Sequence, residues 1–121
     1  MASYQEPRIY NLDSEADLTA KQYRGVKFGS DEGKIVQAVA NDDAIGILMN
    51  QPNVGEVAEV AFAGGGAKAK LSGPVTRGGR LMLAADGWVL ATTGKISNCQ
   101  ALQDGVAGDY ISVVVETMVA L

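Results

Sequence analysis

From residue 23 onward, apolar and polar positions exchange at the short spacing of β-strands. Ala67-Lys68-Ala69-Lys70-Leu71 alternates strictly, which puts Lys68 and Lys70 on a solvent face and the small apolar residues on the other. Short β-prone runs at residues 24–28, 34–39, 45–49, 56–63, 81–84, 88–91, 98–102 and 110–116 continue the series. Turn-formers separate them: Ser30-Asp31-Glu32-Gly33, Asn41-Asp42-Asp43, residues 50–55, and Asp86-Gly87. The last is a strong hairpin signal, because Asp and Gly both tolerate positive φ. No sustained 3.6-residue pattern interrupts, so the chain is expected to be mainly β.

The spacing also repeats. Gly25 and Gly33 are spaced like Gly79 and Gly87, at an offset of 54 positions. After a one-residue deletion, residues 45–55 parallel 98–108, with Val54-Gly55-Glu56-Val57 answering Ala107-Gly108-Asp109-Tyr110. Two similar β-units, about residues 24–63 and 78–116, are expected within one domain spanning residues 23–121. Strands this short close into a small compact β-barrel or a curled β-sandwich, which hides their edges. A core rich in Ala and Val leaves little room for a ligand pocket. Gly64-Gly65-Gly66 reads as a flexible connector between the units, since a strand-like alternation follows it rather than the helix a phosphate loop needs.

Residues 1–22 differ. They are polar, with Tyr4, Ile9, Tyr10, Leu12 and Leu18 scattered without a period. Ser14-Glu15-Ala16-Asp17 resembles a capping box and would allow a helical turn over residues 14–22. An extended N-terminal arm is the better reading, packed on its own domain or docked on a partner.

Composition removes whole classes of function. With 10 Lys and Arg against 14 Asp and Glu, the formal charge is −4, which opposes nonspecific nucleic-acid binding. Histidine is absent and Cys99 is alone, so the usual zinc sites, Ser-His-Asp triads, Cys-His pairs and intrachain disulfides have no residues to build them. Ser72, Ser97 and Ser112 lack an activating histidine, and Cys99 in a strand reads as a buried structural thiol. Asp31-Glu32 and Asp42-Asp43 lack the staggered ligands of a calcium loop and read as solvated turns. No apolar run approaches a membrane span, and residues 1–17 lack the apolar stretch of a secretory signal, so a soluble protein of cytosolic origin is expected. Trp88, the largest apolar side chain, is expected to anchor the second unit's core; the rival role is an interface hot spot.

The ordered pattern resembles the small head-decoration, or capsid cement, proteins of tailed bacteriophages. The resemblance rests on Asp17-Leu18-Thr19-Ala20-Lys21-Gln22-Tyr23 leading into Val26-Lys27-Phe28, then Ala44-Ile45-Gly46-Ile47-Leu48 with Asn50 and Pro52. It continues through Gly55-Glu56-Val57-Ala58-Glu59-Val60, Gly66-Ala67-Lys68-Ala69-Lys70, Gly78-Gly79-Arg80-Leu81, Ala85-Asp86-Gly87 and residues 107–113. The chain departs from it at Asn98-Cys99-Gln100-Ala101. The resemblance implies a compact β-barrel-like domain that assembles as a homotrimer on the outer capsid surface of the virion. It implies a mechanical role, bridging subunits of the major capsid protein, with no catalysis, cofactor, nucleic acid or membrane. Tyr4, Arg8, Ile9 and Tyr10 are then expected to contact the capsid or a neighbouring protomer. The alternative is a β-barrel binding module of a phage head fibre or tail that recognises a host-surface glycan.

Overall fold

The computed structural model describes residues 9–40 and 42–120. Among the described residues, ten strands form two five-stranded units. The first contains β1 (Ile9–Ser14), β2 (Gly25–Phe28), β3 (Lys34–Gln37), β4 (Gly46–Leu48) and β5 (Val57–Phe62). The second contains β6 (Gly66–Lys70), β7 (Arg80–Ala84), β8 (Gly87–Leu90), β9 (Ile96–Ala101) and β10 (Tyr110–Ala120). Strand order is β1-β3-β2-β4-β5 in a closed barrel and β6-β10-β9-β7-β8 in the second sheet. The mainly β expectation is met: no helix occurs among the described residues.

Residues 1–22 differ from expectation in one feature. Residues 9–14 are a barrel strand, antiparallel to β5 and parallel to β3, so the domain begins well before residue 23. The sequence hid this strand because Asn11, Asp13 and Ser14 make half of it polar and leave no sustained apolar alternation. Residues 14–22 carry turns instead of a helix. Asp17 accepts hydrogen bonds from the backbone N–H and hydroxyl of Thr19, a local closure that competes with helical geometry.

The duplication holds at the level of individual hydrogen bonds. Leu12 pairs with Ala58 across β1–β5 as Ala69 pairs with Ile111 across β6–β10. Val26 pairs with Gln37 as Leu81 pairs with Leu90. Ile47 pairs with Ala61 as Gln100 pairs with Val114. The Glu15 N–H bonds to the Ile35 carbonyl as the Ser72 N–H bonds to that of Trp88. These pairs fix the offset at 57 for β1, 55 for β2, and 53 from β3 onward. The glycine match at 54 is therefore one residue out of register, whereas the later match at 53 is correct. The change from 57 to 55 arises between β1 and β2, and that from 55 to 53 in the hairpins: residues 29–33 link β2 to β3, but only Ala85 and Asp86 link β7 to β8.

The hairpin expected from Asp86-Gly87 is present, but its two-residue loop is Ala85-Asp86. Gly87 lies in β8 opposite Ala84, and Asp86 does not take positive φ. Gly87 has φ 154°, and an added Cβ would stand 2.5 Å from Ser72 Oγ and 2.8 Å from the Lys70 carbonyl oxygen. Glycine is required there for close approach of strands rather than for turn geometry. Gly64-Gly65-Gly66 does join the units, but as a defined turn. Gly64 has φ 92°, its N–H bonds to the Val115 carbonyl, and Gly66 already pairs with Val114.

The units bury matching sets of side chains. Leu18, Val26, Ile35, Leu48, Ala58 and Val60 fill the first barrel. The equivalent Val75, Leu81, Trp88, Ala101, Ile111 and Val113 fill the second unit. Trp88 thus replaces Ile35 and anchors the core, with no exposed surface. The larger ring accompanies a looser seam. β1 and β3 close the first barrel with two pairs, while Leu71 and Trp88 form a single parallel bridge on the other side. Ala38, Ala44, Ile47 and Ala61 from the first unit join the second unit's cluster. This explains why Gly46, Ile47 and Leu48 are all buried: Leu48 serves one core and Ile47 the other. Burying each such aliphatic side chain contributes about 1.5–3 kcal/mol, so the shared cluster binds the units into one body.

Candidate assembly surface

Among the described residues, no group of three or more Cys, Asp or Glu is placed to hold a metal ion. A cleft of about 180 Å³ lies between the units, lined by Ala40, Asp42, Met82, Leu83, Lys95 and Ile96. Its carboxylate is engaged: Asp42 accepts the Val39 N–H and meets Lys27 at 3.1 Å, and these contacts hold its acidity above the usual carboxylate level. Cys99 is buried, and loss of solvent, with Glu116 nearby, raises its pKa far above the usual thiol range. Ser97 spends its hydroxyl on the Cys99 carbonyl.

One end of the molecule carries a polar latch between the units. Asp86, on the tight β7–β8 hairpin, receives Arg24 Nε at 3.0 Å and Arg24 Nη2 at 3.3 Å, a two-pronged contact. Lys21 stands 3.3 Å and Lys70 3.6 Å from the same carboxylate. Arg24, aided by Lys21, lowers the Asp86 pKa to about 2 against the opposing effect of burial. Beside the latch, Tyr23 and Tyr110 meet edge to face with ring centroids 5.5 Å apart. The Tyr23 carbonyl accepts the Lys70 N–H, which joins the start of β2 to the end of β6.

The outer faces of the two equivalent strand pairs differ in sign. On β1–β5, Asp13 stands in register with Val57, and Asn11 with Glu59. On β6–β10, Lys70 stands in register with Tyr110, and Lys68 with Ser112. By the repeat's offsets, Lys70 occupies the position of Asp13, and Tyr110 that of Val57. Each face centres on an exposed apolar side chain, Val57 at 51% and Tyr110 at 50%. Asp13, Glu59 and Lys68 are also exposed. Phe28, at the end of β2, is the most exposed large apolar residue described, at 64%. Its equivalent, Leu83, is buried against the first unit.

Of the contact residues expected from sequence, Tyr4 and Arg8 lie outside the described residues. Ile9 and Tyr10 belong to β1, in register with Ala61 and Val60. Sequence reasoning put Lys68 and Lys70 on a solvent face, which the exposure of Lys68 matches, but it did not connect them with Asp13. Only the 57-residue offset pairs those positions, and that offset follows from a strand the sequence pattern did not show.

No protein-family model matches the chain, and no curated protein matches it. Among solved structures, its fold is similar to that of the N base of the head fibre protein gp8.5 of bacteriophage phi29, with a TM-score of 0.70. The likeness covers 93% of this chain and 98% of that one at 13% identity, and so is a likeness of fold.

Proposed function

We propose that this chain is a structural protein of a phage head, seated on the outer capsid surface of the virion as a homotrimer and bridging neighbouring subunits of the major capsid protein. The observation that carries the reading is the double five-stranded fold, shared along nearly its whole length with the base of a phage head fibre. The ordered motifs that resemble head-decoration proteins support the same role. Bridging needs no reaction, cofactor, nucleic acid or membrane. It works by avidity, because one engaged contact raises the effective concentration for the next. Residues 1–13, with Tyr4, Arg8, Ile9 and Tyr10, are proposed to supply part of the contact with the capsid or a neighbouring protomer.

A second reading has one observation in its favour. The structural neighbour is a fibre base, matched over 98% of its length, so this chain could serve as the foot of a head appendage that reaches a host-surface glycan. Co-sedimentation with purified mature capsids separates the two. Saturable binding that raises the capsids' resistance to heat or chelation supports the cement role. Binding without stabilisation favours the fibre base, and no binding overturns both.

A further inference from the structure

The two faces described above are equivalent surfaces of opposite sign: Asp13 answers Lys70 at one repeated position, while Glu59 answers Ser112 and Lys68 answers Asn11, each adding charge of its own face's sign. We infer that they are the halves of a head-to-tail contact between copies of this chain: the β1–β5 face of one copy docks on the β6–β10 face of the next. Asp13 and Glu59 flank Val57 on the first face; Lys70 and Lys68 flank Tyr110 on the second. Equivalent registers place Val57 and Tyr110 at matching points of the two faces, so acidic and basic side chains can meet around an apolar centre formed by these two residues. Complementary potentials of this kind fix partner and register, while like-charged faces repel. A face cannot dock on its own kind here, which excludes a twofold contact through either one. The contact is heterologous and closes into a ring when the rotation between copies permits.

Neighbouring charges keep the two signs distinct. Lys34 lies in register with Asp13 across β1–β3, yet Glu15 lies near Lys34 as well. On the other face, Lys70 is reached by Asp86, but Lys21 and Arg24 converge on that same carboxylate and leave the cluster positive. Lys68 has no ion-pair partner among the described residues and is open to one from outside. This inference rests on the homotrimer of the proposed function: a monomeric wild type overturns both, an oligomer indifferent to the charge reversals overturns this contact alone, and capsid binding tests the bridging role separately.

The test is the mass of the full chain in solution by sedimentation equilibrium, at low and high salt. The wild type is expected to form a closed oligomer that weakens as salt rises. The reversals D13K/E59K and K68E/K70E are each expected to raise the dissociation constant about 100-fold, because each makes both faces alike in sign. The fourfold variant D13K/E59K/K68E/K70E restores opposite signs and is expected to recover the oligomer. Lys70 also touches the latch, so K68E alone, with an unchanged circular dichroism spectrum, serves as the folding-neutral variant and should weaken association about tenfold. A monomeric wild type overturns the inference. So do an oligomer indifferent to the reversals and a fourfold variant that stays apart.

Discussion

Tyr23 holds in the first unit the backbone position that Gly78 holds in the second. Both are third in a turn, closed from Arg24 N–H to the Lys21 carbonyl and from Gly79 N–H to the Thr76 carbonyl. Both take positive φ, 69° and 82°. Tyr23 is the one non-glycine residue described that does so. An L-residue there costs about 1–2 kcal/mol, so something must hold Tyr23 in place. Its ring packs on Tyr110 and its carbonyl binds Lys70, contacts that span the two units.

Exchanging the two residues' roles tests this. Tyr23→Gly should relieve the strain yet lower stability by about 1 kcal/mol, since the lost ring contact and burial outweigh the relief. Gly78→Ala should cost a similar amount for a different reason. Nothing lies within 4 Å of an added Cβ at Gly78, so only the backbone angle opposes it. Thermal melts of Y23G, Y110A and the double variant should show coupling between the two tyrosines and none with G78A.

Asp86 should make stability depend on acid. Its folded pKa of about 2 lies below the usual 3.8, so its contribution is complete above about pH 4 and is lost as pH falls toward 2. The side chain is half exposed, and solvent screening limits the effect to on the order of 1 kcal/mol. Asp86→Asn should be less stable than the wild type at pH 7 and lose that difference near pH 2. Urea midpoints across this range measure it.

Gly46 and Gly25 should respond differently to the same added methyl group. At Gly46 it would meet the Ala61 carbonyl oxygen at 2.3 Å, a backbone atom fixed by the β4–β5 ladder. At Gly25 it would meet the movable end of Leu83 at 2.5 Å and the Trp88 ring at 3.1 Å. Overpacking costs about 1–3 kcal/mol, and Gly46→Ala should fall at the upper end, with Gly25→Ala below it. Equilibrium urea unfolding gives the order.

Cys99 should be inert to aromatic disulfide reagents in the native state and react once the chain unfolds. Its burial and raised pKa suppress both access and thiolate. The labelling rate then reports opening of the second unit. Trp88→Ala, which removes the largest side chain of the same core, should cost about 3–5 kcal/mol and accelerate labelling sharply.

The sequence by itself determined that the chain is β, where nine of the ten strands fall to within a few residues, and that the pattern occurs twice. Those features are local: alternation fixes which face of a strand is buried, and glycine or Asx residues mark the turns. It also indicated Trp88 as a core anchor. The tertiary structure alone decided that residues 9–14 are the first strand, because β1 is recruited by pairing with β5 and β3 rather than by its own hydrophobicity. It decided that Ile47 and Leu48, adjacent on one strand, serve two different cores. It also set Asp13 opposite in sign to Lys70 at equivalent positions, a relation carried by strand register across gaps of unequal length. Register is a property of paired strands, and no single strand carries it.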